Sequence, residues 1–279
     1  MSEYQYYEFL AVDRPLSGDQ QAQLRAMSTR AMITASSFIN TYHWGDLKGD
    51  PQDLVQEYFD AFLYTANWGT RRLMFRIPSR LLDLATVEQY CLTDAATAWV
   101  HGDHLIVDLA SEHEGDGYWD EGDGGEGQLG GIIPARADLM AGDLRLLYLG
   151  WLLQADIGML DDDEPEPPVP SGLADLPGAL YSAANFLRID PGLLEAAAEG
   201  SEPVESSAGS DGELAAWIAQ QTEEDKNQQL LRVVQGEGSF VRADLTRRFR
   251  ASLEPELSPA AEPQPRTVGE LLRRAAQLR

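Results

Sequence analysis

Cysteine is almost missing from this chain. Cys91 is the only one among 279 residues, which excludes an intrachain disulfide or a cysteine-based zinc site and points to a reducing cytoplasm. Positive charge is scarce as well: 21 Lys and Arg stand against 46 Asp and Glu, a formal net charge of −25. Such a surface repels phosphate, so no direct binding to nucleic acid or to an anionic membrane is expected, and a protein partner should be basic. Long apolar runs are lacking too. The longest, Leu144 to Leu153, contains Arg145 and is too short to cross a bilayer, and the opening MSEYQYYEF has no basic segment followed by an apolar run, so no signal peptide is expected.

The common catalytic and nucleotide-binding signatures are also missing. There is no Gly-x-Ser-x-Gly elbow, His-Glu-x-x-His helix or EF-hand loop. The glycines from Gly122 to Gly127 are interspersed with carboxylates and lack the lysine of a phosphate-binding loop. No catalytic residue and no cofactor is therefore expected.

What is present reads as an α+β protein: 43% apolar and 9% aromatic residues support a globular chain. Tyr4 to Val12 is aromatic and β-branched, a strand signal. Ser17 with Gln20 forms a capping-box pattern, and Ser36 to Trp44 is a second strand. Asp50 and Pro51 then open a predicted helix through Leu54, Val55, Tyr58, Phe59, Phe62, Leu63 and Ala66, closed at Gly69. Leu73, Phe75 and Ile77 alternate with Arg72, Met74 and Arg76, a strand ended by Pro78. Gly102-Asp103 suits a II′ hairpin, and counting outward opposes His101 to His104, Val100 to Leu105 and Trp99 to Ile106. Residues 1–110 are thus predicted to form an α+β domain on a mixed sheet of about four to five strands.

Residues 111–131 are acidic and Gly-rich and read as a loop or linker, with Tyr118 and Trp119 as candidate contacts to a partner. Residues 132–279 read as all-helical, with acidic or Pro-rich breaks at 161–170 and 201–211. Predicted helices cover 137–155, 173–187, 191–199, 211–234 and 240–253. The last of these is locally basic, and Arg247 and Arg248 are candidate contacts on it. Thr267 with Glu270 opens a final helix through Leu271, Leu272 and Leu278 that has no stop signal before Arg279, so it either docks back on the body or begins a longer helix. Its apolar side, Leu271 and Leu272 included, is the candidate surface for a partner or a homo-oligomer.

Only the histidines suggest chemistry. His101 and His104, opposed across a hairpin end, have side chains near enough to share an ion, and His43 is the candidate third ligand.

The segments YQYYEFLAVDRPL, SFINTYHWGDLKGDP, YFDAFLYTANWGTRRLMFRIP and AWVHGDHLIVDL resemble a family of bacterial proteins without an assigned activity. The resemblance spans about residues 1–110. It implies that the final helix continues beyond RTVGELL as a long charged helix, and it transfers no catalytic residue.

The leading expectation is a non-catalytic cytoplasmic interaction or scaffold subunit of a bacterial assembly. Two rivals stay open: a metal-dependent hydrolase built on His101, His104 and His43, and an acidic nucleic-acid mimic that inhibits a basic protein.

Overall fold

The computed structural model describes residues 3–112, 125–203, 211–253 and 265–279. Its centre is a seven-stranded sheet in the order β2-β3-β1-β4-β5-β7-β6. The strands are β1 (Gln5–Leu10), β2 (Met32–Ile33), β3 (Ser37–Tyr42), β4 (Ala61–Ala66), β5 (Thr70–Pro78), β6 (Ala96–His101) and β7 (His104–Glu112). All neighbouring strands pair antiparallel, so the expected mixed sheet of four or five strands is corrected to a purely antiparallel one. The α+β class stands.

The largest correction falls on the predicted helix from Asp50 to Ala66. Helix α2 (Pro51–Glu57) does start at the Asp50 cap, whose side chain accepts from the Gln52 amide, but it ends after seven residues. Residues 61–66 are instead strand β4, joined by a tight turn with Gly69 at φ 106° to β5. Phe62 and Leu63 are both fully buried, because this central strand is covered on both faces. A run that is apolar on both sides does not show the period of two that marks a half-exposed strand.

Helices sit on both faces of the sheet. Helix α1 (Gly18–Met27) carries the Ser17–Gln20 capping box, and it and α2 cover one face over a core of Phe9, Phe38, Phe59, Phe62, Met74 and Ile106. The other face, with Leu63, Leu73, Phe75, Leu105, Val107 and Leu109, meets the helices that follow. A short helix, α3 (Leu84–Glu88), precedes β6. Then come α4 (Gln128–Met140), α5 (Arg145–Asp156), α6 (Gly178–Phe186) and α7 (Pro191–Ala198). The apolar run centred on Leu149 is α5, buried on all sides, and Gly150 lets it approach Leu109 of β7 closely. Sheet and helices share one continuous core that runs from Tyr6 to Ala275.

The predicted helix over 211–234 is two helices, α8 (Asp211–Gln220) and α9 (Glu223–Arg232), because Thr222 caps a new start through its side chain. An irregular turn, Val233–Glu237, leads to α10 (Gly238–Leu253), and Gly236 takes φ 91° inside it. The final helix, α11 (Val268–Leu278), opens with the Thr267–Glu270 capping box. It docks on the body: Leu271 is fully buried, and the Thr267 region pairs with the extended Pro165 strip. Tyr148 donates to Glu166, and Glu166 accepts from Arg266 at 2.7 and 2.8 Å, fixing the base of α11.

Candidate functional site

A cavity of about 490 Å³ lies on the α1/α2 face where helical cover stops. Alternate residues of four adjacent strands form its floor: Phe62 and Tyr64 of β4, Thr70 and Arg72 of β5, Asp108, Ala110 and Glu112 of β7, and Thr97 of β6. The hollow follows from side-chain size. Arg72 lies opposite Ala110, and Thr97 opposite Asp108, so short side chains leave space that none of the described helices fills.

Within the cleft, Arg72 binds Asp108 through Nε at 2.8 Å and Nη2 at 2.5 Å. Burial works against the Arg72 charge, but the Asp108 bonds and the nearby Asp50 raise its pKa further. Asp94 and Glu112 also line the cleft and are exposed. With Arg72 already spoken for by Asp108, these two carboxylates give the cleft a negative field. One wall is aromatic: the Tyr7 and Tyr64 rings lie 4.7 Å apart, and both hydroxyls donate to Gln5 Oε1, at 2.8 and 2.9 Å. Tyr7 also donates to Asp46 at 2.5 Å. Burial pushes Tyr64 up to about 12 and Tyr7 higher still, so both stay neutral donors at ordinary pH.

A second charged cluster is buried at the other end of the sheet. Asp60 accepts from the Val12 and Asp13 amides at 2.7 and 2.8 Å and from Arg76 Nη2 at 2.7 Å. Arg136, 2% exposed, grips Asp13 with two bonds, at 3.0 and 2.6 Å, and donates to the Arg76 carbonyl at 2.8 Å. Each charge faces an opposite one, so this cluster ties the β1–α1 connection, β4, β5 and α4 together. His104 sits at its edge, and burial, with the Arg76 charge, lowers its pKa.

The histidine set does not assemble. His101 and His104 oppose each other as the hairpin register predicts. His43 follows β3 and packs against Tyr4, several strands away. Among the described residues no three His, Cys, Asp or Glu side chains could hold a metal ion together.

The predicted contact residues separate in the same way. Arg248 bonds to Asp225 at 3.1 Å and Gln221 at 2.9 Å and lies over the Trp217 ring, while Arg247 meets Asp244 at 3.2 Å. Leu271 is in the core and Leu272 is half-buried against it, so the final helix takes the docked alternative and the two leucines are corrected from surface contacts to packing residues. Tyr118 and Trp119 lie outside the described residues. The cleft was not found in the sequence because its floor combines residues from four strands; only Arg72, in the alternating strand, carried a local signal.

Among the described residues no helix is long and apolar enough to cross a membrane. Comparison with protein-family models, curated proteins and solved structures found no match to this chain.

Proposed function

We propose that this chain is a non-catalytic interaction subunit that receives a basic segment of a protein partner in the open-sheet cleft. The observation that carries the reading is the charge state of that cleft. Among the described residues its one lining arginine is consumed by Asp108, and no lining base neutralises Asp94 and Glu112 beside the tyrosine wall. An incoming guanidinium or ammonium group gains attraction to both carboxylates and a face of tyrosine to lie against. The net charge of −25 steers such a partner toward the molecule. The single cysteine suits a cytoplasmic setting.

Titration with an arginine-rich peptide and a glutamate-rich peptide of equal length tests this. We expect only the basic peptide to bind, more weakly as salt rises, and the double substitution Asp94→Lys, Glu112→Lys to weaken it about tenfold or more. Glu195→Lys, Glu202→Lys changes the net charge equally at exposed positions on and beside α7, on the opposite face of the sheet, and serves as the control. Equal loss in both variants would reduce the effect to net charge and defeat the proposal.

A further inference from the structure

Helices α8, α9 and α10 leave an apolar groove of about 310 Å³, walled by Ile218, Leu230, Val233, Val241 and Leu245. Beside it stands an aliphatic ridge on α9 and the turn after it. Val234 is 84% exposed, Leu230 64% and Leu231 56%. No buried residue lies on α9, so this helix is held by its neighbours with its apolar side largely open. Such a patch on an otherwise strongly charged chain marks a place of association.

We propose that α9 and the Val233–Glu237 turn form a twofold interface between two copies of this chain. Two observations select a second copy as the occupant. The first is charge. A net −25 makes copies repel, yet residues 211–253 hold six basic against seven acidic residues, so here the repulsion nearly vanishes. A basic partner would find an excess of only one acid in this region and is drawn to the Asp94–Glu112 cleft instead. The second is shape. Ridge and groove lie side by side on one helix, so a copy turned by a twofold axis can seat Leu231 and Val234 in this groove while offering its own groove in return.

Sedimentation velocity from about 1 to about 100 µM tests the interface. We expect a concentration-dependent dimer that persists or strengthens between about 0.15 and about 0.5 M salt, since screening removes repulsion without weakening apolar contact. Leu231→Asp, Val234→Asp should weaken association about tenfold or more. Both residues are exposed, so circular dichroism should stay unchanged. In a Cys91→Ala background, Val234→Cys should cross-link copies under mild oxidation much faster than Tyr181→Cys, an exposed position on α6. A wild type that stays monomeric at the top concentration in both salts overturns the proposal. So does an unchanged Leu231→Asp, Val234→Asp variant, or equal cross-linking at both cysteines. Asp94→Lys, Glu112→Lys should still dimerise, which keeps this result separate from that of the cleft.

Discussion

Replacing Asp60 with Asn tests whether the buried charge cluster holds the sheet to α4. The side chain of Asp60 is 2% exposed and works only as an acceptor. Oδ2 takes the Val12 and Asp13 amides, while Oδ1 takes Arg76 Nε and Nη2 at 3.2 and 2.7 Å. An amide has one oxygen, so it must turn its NH₂ toward either the two backbone donors or the guanidinium, donor against donor. Arg136 keeps Asp13, but where the NH₂ turns toward the guanidinium, Arg76 is left with the Gln56 carbonyl. Breaking a buried pair in this way costs about 3–5 kcal/mol, or roughly 6–20 °C in Tm for a chain of this size. Thermal unfolding and urea titration would read it. Adding Arg76→Met removes the stranded charge, so the double variant should be less destabilised than the sum of the singles by about 1–3 kcal/mol. Acid offers a second reading. Burial would raise the Asp60 pKa, but the Arg136 and Arg76 charges and the Asp13 amide outweigh it and hold the carboxyl below its ordinary value. A depressed carboxylate stabilises above the unfolded value and loses that contribution as pH falls through the folded one, so the gap between wild type and Asp60→Asn should narrow below about pH 4. A variant within about 2 °C of wild type at neutral pH, or strict additivity with Arg76→Met, would refute the reasoning.

The remaining predictions concern the core. Burial, with the Asp108 charge, pushes the Cys91 thiol up to about 12. Alkylation at about pH 8 should therefore be slow in the native protein and fast in denaturant, since the thiolate is the nucleophile; rapid native labelling would contradict this. A Cβ on Gly150 would lie 2.7 Å from Leu109 Cδ2. Gly150→Val should then cost about 1–3 kcal/mol through overpacking, and an unchanged urea midpoint would show that α5 can back away from β7.

How much of this was legible varies with the range of the determining contacts. Caps and turns are local and were readable: Ser17–Gln20, Thr267–Glu270, Asp50 with Pro51, and the Gly102–Asp103 hairpin with its register all appear in place. The β4 strand was not. Phe62 and Leu63 are buried by different layers, and nothing local says that a second layer exists. Between docking and extension of the final helix the sequence does not decide for the same reason, since burial of Leu271 depends on α11 packing against α7, far away in sequence. The His43 ligand idea failed on topology, because only the strand order reveals that β3 and β6 stand apart.

The cleft follows from the way the two faces are covered. One face receives the long helical half of the chain and is sealed from Leu63 to Leu109. Among the described residues the other has only α1 and α2, ten and seven residues long, which reach the aromatic cluster around Phe9 and Phe59 and stop short of β6 and β7. The uncovered corner cannot expose large apolar side chains without inviting association, and here it carries Thr70, Thr97, Ala110, Asp108 and Glu112. Small residues make the hollow, and the acids that keep it wet give it its sign. Elsewhere on the sheet and α4, Arg76 and Arg136 are matched by Asp60 and Asp13. In the cleft the balance tips, because Arg72 answers Asp108 and leaves Glu112 and Asp94 over. A surplus of this kind, set in a concave surface with an aromatic wall, attracts a positive group to one place, which a solubilising charge spread evenly over the surface would not do.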